Sequence, residues 1–148
     1  MEIDDLQAGK VGEYLVCADL ILRGHVAFPT EQGLPYDIML ISHGRRPLKV
    51  QVKTTRKPLI VPQRKNRTDK YIFHVKRCGK GGNRKYREDD VDIFALVALD
   101  TRVIGYVWAS EAKQTMFFLP ENGKIAVKKH GGVTLRGVRK LSDCKIEI

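Results

Sequence analysis

Apolar residues recur at helical spacing near the start of the chain. From about Ala8 to Arg23, Val11, Leu15, Ala18 and Leu22 fall one or two turns apart, Tyr14, Cys17 and Ile21 widen the stripe, and Gly24 ends it. The pattern predicts an amphipathic helix after a short acidic start, Met1 to Gln7. His25 to Phe28 reads as a short strand, and Thr30 to Leu34 as a loop. The period then changes to two: Tyr36 to Ile41 is apolar apart from Asp37, and Leu48, Val50 and Val52 alternate with Lys49, Gln51 and Lys53. A β-hairpin turning through Ser42 to Arg46 follows from that alternation. Paired residues share a face of a hairpin, so Asp37 is expected opposite Gln51, with Lys53 on the same face.

Beyond Thr55 the pattern weakens. Arg56 to Lys70 holds Pro58, Pro62 and many bases, and reads as an irregular crossing. Tyr71 to Val75 alternates like a strand, and Ile93 to Leu99, wholly apolar, predicts a buried strand that returns through Val103 to Trp108. In the tail, Glu111 to Ile148, apolar pieces at Met116 to Leu119, Ile125 to Val127 and Val133 to Val138 fit short strands or an assembly surface equally well.

Composition narrows the class. At 148 residues, 43% hydrophobic and 30% charged, the chain fits a single domain, 1–148, with one core. No apolar run reaches the length of a membrane span and none follows the plan of a signal peptide, so a soluble, cytoplasmic protein with no membrane partner is expected. Cys17, Cys78 and Cys144 are odd in number and far apart, which supports neither a disulfide framework nor a zinc site.

The net charge of +10 is concentrated in one block. Arg45 to Arg87 holds sixteen Lys or Arg and a single acid, Asp69, for a local charge of +15, while the remainder of the chain carries −5. Such a block fits a polyanion, and nucleic acid is the expected one. Arg45, Arg46, Arg56, Lys57, Arg64, Lys65, Arg67, Lys80, Arg84 and Lys85 are the candidate DNA contacts. The glycine-rich piece around Gly79, Gly81 and Gly82 lacks the Gly-Lys-[Ser/Thr] ending of a nucleotide-binding P-loop and reads as a loop against a DNA backbone. His74 is a lone strand histidine, and the acids Glu88, Asp89, Asp90 and Asp92 read as capping or loop pairing rather than a second metal site.

An acid, a side-chain carbonyl and an ammonium gathered at one end of a hairpin suit phosphodiester hydrolysis assisted by a divalent cation, since hard cations choose oxygen ligands. Pro35-Tyr36-Asp37 and Gln51-Val52-Lys53 resemble the core motif of the PD-(D/E)xK nucleases, and Gly9-Lys10-Val11-Gly12-Glu13 resembles the helical opening that precedes it. Tyr86-x-x-x-x-Val91-Asp92-Ile93-Phe94-Ala95 is similar to a segment of the group I intron homing endonucleases of this type, and the resemblance runs from Gly9 to Ser110.

The resemblance implies an α/β fold, a mixed central sheet flanked by helices, and an endonuclease dependent on Mg²⁺ or Mn²⁺ that acts on double-stranded DNA. It gives Asp37, Gln51 and the backbone carbonyl of Val52 as metal ligands, Lys53 as the group that orients water or steadies charge, and Glu13 as a helper from the helix. It also implies a homo-oligomer, a tetramer or else a dimer. Gln51 departs from the commoner Asp or Glu; as a weaker cation ligand it implies reduced metal affinity or activity, although the homing branch is similar in tolerating Gln here. The alternatives are a Holliday-junction resolvase-like nuclease and a non-cleaving DNA-binding protein on the same fold.

Overall fold

Asp4 starts the helix. Its carboxylate accepts the backbone N–H of Gln7 at 2.7 Å, and the Gln7 side chain accepts the N–H of Asp4 at 2.9 Å. This capping box satisfies two of the donors left over at a helix N-terminus, so helix α1 spans Asp5–Leu22 and absorbs part of the acidic start. Gly24, at φ +87°, turns the chain out as expected. The computed structural model describes residues 2–60, 70–75, 85–118, 124–129 and 132–137.

Strands β1 (Val26–Pro29), β2 (Ile38–Ile41), β3 (Leu48–Thr55), β5 (Ile93–Ala98) and β6 (Val103–Trp108) form a five-stranded sheet in the order β1-β2-β3-β5-β6. The β3–β5 pair is parallel and the others antiparallel, which makes the sheet mixed. The crossover between the parallel strands β3 and β5 includes β4 (Tyr71–His74), which belongs to a second sheet with β7 (Thr115–Phe118), β8 (Lys124–Lys129) and β9 (Gly132–Gly137). Fold class and hairpins therefore match the expectation, and the described parts of the tail include the strands β7, β8 and β9.

Two apolar clusters hold the layers together. Val16, Cys17 and Leu20 of α1 pack on Ile38, Leu40, Val50, Val52, Ile93, Ala95 and Val97, the even-numbered side of β3 and the odd-numbered side of β5. On the opposite face, Phe94, Leu96 and Ala98 meet Tyr71 and Phe73 of β4 and Met116 of β7. That second cover is a sheet where a helix was expected. Burial on both faces explains why β5 reads as an unbroken apolar run.

The helix is rolled differently from its sequence pattern. The buried positions are Ala8, Gly12, Val16, Cys17 and Leu20, whereas Val11, Tyr14, Ile21 and Leu22 are exposed, Leu22 at 86%. Small residues at positions 8 and 12 let the helix backbone approach β3, and that contact overrides the larger side chains. Asp19 fixes the far end, accepting from the Tyr106 hydroxyl of β6 at 2.6 Å and pairing with Arg23 at 2.9 Å. Burial and this hydrogen bond push the Tyr106 phenol well above its ordinary range.

Candidate active site

The hairpin register pairs Ile38 with Val50, which sets Asp37 across from Gln51. Asp37 is the last residue before β2, and its backbone is tied on both sides: its N–H donates to Val50 O at 2.9 Å and its C=O accepts from Thr30 N at 2.9 Å. Thr30 also donates its hydroxyl to Tyr36 O at 2.8 Å, clamping the loop that delivers Asp37. The carboxylate oxygen Oδ2 accepts the Val52 N–H at 2.9 Å, one rung beyond the end of β2.

Gln51 lies flat in this corner, only 9% exposed. Its Nε2 donates to Asp37 Oδ2 at 2.5 Å and to Val52 O at 3.2 Å. The amide nitrogen, where the carbonyl oxygen was expected, thus sits between two of the oxygens named as ligands. A half-turn about the terminal torsion of Gln51 exchanges the two ends of the amide and offers Oε1 to the same gap.

Charge points to the same place. Burial pushes the Asp37 carboxyl above the ordinary range, the Val52 N–H pulls it down, the nearby charge of Glu13 pushes it up again, and Lys53 and Lys10 pull it down. Glu13 and Lys53 are therefore close enough to act on Asp37, one from the helix and one from the next outward position of β3. Lys10, three residues before Glu13 and on the same helix face, pairs with it at 2.5 Å. Sequence reasoning passed over Lys10, although the spacing marks it.

With the Gln51 amide turned to present Oε1, the groups in the corner would be the Asp37 carboxylate, an amide carbonyl and the Val52 backbone carbonyl, all oxygen, with the Glu13 carboxylate acting on Asp37 from the helix. That is the chemistry of a Mg²⁺ or Mn²⁺ site, and a buried acid pushed upward by a second acid is one that gains from a cation. Among the described residues no three His, Cys, Asp or Glu side chains gather, so such an ion would depend on Gln51 and Val52 for its remaining protein ligands.

The basic residues divide into two groups. Arg46 grips Asp92 at 2.7 Å, and Asp92 also accepts the Lys49 N–H at 2.8 Å, so this pair fastens the hairpin turn to the head of β5. Arg56 pairs with Asp5 at 3.0 Å. Arg45, Lys57 and Lys85 are exposed. Arg64, Lys65, Arg67, Lys80 and Arg84 lie outside the described residues. A cleft of 660 Å³ opens between the two sheets, with Lys85, Arg87 and Lys113 around a floor that includes Val91 and Phe94.

An antiparallel hairpin carries Asp37 and Lys53, is continued by the parallel strand β5 and is backed by the helix that bears Glu13. The PD-(D/E)XK endonuclease family model matches residues 3–129, and the chain belongs to that family. Among solved structures it is similar to a bacterial homing endonuclease, I-Ssp6803I, with a TM-score of 0.62 over 81% of each chain. Sequence identity is 15%, so the likeness is one of fold. No curated protein matches the chain. Among the described residues no helix is long and apolar enough to cross a membrane.

Proposed function

We propose that this endonuclease is Mg²⁺-dependent and cuts both strands of a specific double-stranded DNA sequence, as a homing endonuclease does. The observation that carries the reading is the corner in which Asp37 Oδ2 and the Val52 carbonyl converge on one point, filled by the Gln51 amide, with Glu13 and Lys53 near enough to act on the same carboxylate. Asp37, Val52 O and Gln51 Oε1 would hold the cation, with Glu13 in support. The cation would supply an activated water and charge neutralisation at the phosphate.

The chain's own groups do the remaining work. Lys53 directs an ammonium at the phosphoryl oxygens, where negative charge grows in the transition state. The Val52 N–H holds Asp37 in one orientation, and the clamp at Thr30 keeps the delivering loop in place. Exposed Arg45, Lys57 and Lys85, with the rim of the 660 Å³ cleft, supply phosphate contacts along the duplex.

One site hydrolyses one strand, so a double-strand cut needs two copies related by symmetry. The outer face of α1, with Tyr14 at 59%, Ile21 at 54% and Leu22 at 86% exposure, is a surface that a second copy could cover. The apolar cluster shared by the two sheets supports one domain per chain. The second reading, a DNA-binding protein that does not cut, is favoured by the Gln51 amide closing the gap a cation would fill. Supercoiled plasmid incubated with Mg²⁺ and with EDTA separates the two readings: the nuclease gives nicked and linear forms only with Mg²⁺, and a binding protein gives a gel shift and intact plasmid in both.

A further inference from the structure

Lys53 carries the only ammonium given to the chemistry above, on a flexible four-carbon stem. Fixing such a side chain has a large entropic cost, and a lysine left to sample its rotamers would rarely present its charge to a phosphate. The Lys53 Nζ lies 5.4 Å from the centroid of the Tyr86 ring, over its face. Tyr86 is itself held: its ring meets Phe94 edge to face at 5.2 Å and 71°. Phe94 is only 3% exposed and is the β5 partner of Gln51 in the sheet register. One continuous contact thus runs from the metal-ligand strand through β5 and Tyr86 back to the ammonium.

We infer that Tyr86 is a positioning residue for Lys53, holding its ammonium toward the Asp37 corner through a cation–π contact; the inference rests on the nuclease reading. A ring face suits this task because it attracts a cation without presenting an anion that the substrate phosphate must displace. The hold is directional yet weak enough for the ammonium to move onto the phosphoryl oxygens when DNA arrives. Placement fits as well: Tyr86 also lines the cleft with Lys85, Arg87 and Glu88, so its ring stands between that cleft and the Lys53 ammonium. The Tyr86 hydroxyl is not needed for the attraction, which makes phenylalanine the conservative replacement.

The test uses the full chain with a cleaved duplex and three replacements at position 86. Tyr86→Phe keeps the ring face, 3,4,5-trifluorophenylalanine keeps the shape but drains the face of negative charge, and Tyr86→Leu removes the ring. The expected result is a kcat within about twofold of the parent for Tyr86→Phe and about tenfold lower for the other two, with the KM for DNA of the trifluorophenylalanine protein unchanged because its ring still lines the cleft. A second readout needs no activity: after reductive ¹³C-methylation, the Lys53 methyl signals, assigned through Lys53→Arg, should lie upfield in the parent and in Tyr86→Phe and move to the ordinary position in Tyr86→Leu. Equal kcat for the phenylalanine and trifluorophenylalanine proteins, or unshifted Lys53 methyls in the parent, overturns the positioning role alone. A parent that does not cut overturns the nuclease reading and this role with it.

Discussion

Gly12 of the helix rests on Thr54 of β3 so closely that a Cβ at position 12 would fall 2.0 Å from Thr54 Oγ1 and 3.1 Å from its Cβ. The Thr54 hydroxyl is buried there with no hydrogen-bond partner among the described residues, and Thr54 Cγ2 would lie 3.3 Å from the same added atom. Glu13 follows Gly12, so the distance between helix and strand also sets how near Glu13 comes to Asp37.

Gly12→Ala should therefore destabilise the protein, although alanine is the better helix former by roughly 1 kcal/mol. Overpacking typically costs about 1–3 kcal/mol, and the net loss should be about 1–2 kcal/mol by denaturant unfolding. Thr54→Ala in the same chain should recover most of it, because it removes the atom that clashes and the orphaned hydroxyl together. A Gly12→Ala protein as stable as the parent would show that the helix sits further from β3 than described.

Asp37→Asn should stabilise the protein and stop cleavage. Burial and the charge of Glu13 raise the Asp37 pKa on folding, so the folded state binds a proton more tightly than the unfolded one. The ionised carboxylate is then a destabilising element, fully expressed above the folded pKa and absent below the unfolded one. Without divalent cation, Asp37→Asn should melt higher than the parent at neutral pH, and the difference should vanish on acidification. Cleavage should fall roughly 100-fold or more. Equal melting temperatures at neutral pH would contradict the electrostatic account.

Much of this site was legible because strand alternation carries positional information. Register follows from the turn at Gly44, so Asp37, Gln51 and Lys53 could be placed on one face from spacing alone. The β5–β6 hairpin was legible for the same reason, bounded by polar residues on both sides. The roll of α1 was not, because apolar residues surround it on nearly every side between Val11 and Leu22. The choice fell to the close approach at Ala8 and Gly12, which is tertiary. The second sheet was hidden too, since β4 finds its partner β7 only after the chain has built β5 and β6. Gln51 was placed correctly, but which end of its amide faces Asp37 is a matter of local hydrogen bonding that no residue pattern encodes.

Arg45 and Arg46 are neighbours with different expected roles. Arg45→Ala should weaken DNA binding across sequences and lower the slope of log K against log salt by about 0.9, the amount for one phosphate contact. Arg46→Ala should instead release Asp92, whose carboxyl is held below its ordinary range by Arg46 and the Lys49 N–H. A depressed acid stabilises above its unfolded pKa and loses that contribution as pH falls through the folded pKa, so the Arg46→Ala stability deficit should be present at neutral pH and shrink in acid. A salt slope changed equally by both substitutions would place Arg46 on DNA after all.

Gln51 is where the cation proposal is most exposed to experiment. In the hydrogen-bonded arrangement its Nε2 satisfies Asp37 and the Val52 carbonyl, so the free protein is comfortable without metal. Gln51→Glu replaces that donor with a third carboxylate beside Asp37 and Glu13. Repulsion should then lower the melting temperature in EDTA, while added Mg²⁺ should raise it by more than it raises the parent's, since a ligand that binds only the folded state stabilises it in proportion to its affinity. Gln51→Leu leaves neither an oxygen for the cation nor a donor for Asp37, and should lose both cleavage and any Mg²⁺-induced shift in melting. The two variants bracket the role: if Gln51→Glu melts with the same Mg²⁺ dependence as the parent and Gln51→Leu still cuts, the amide is a structural hydrogen bond of the hairpin corner and no ligand at all.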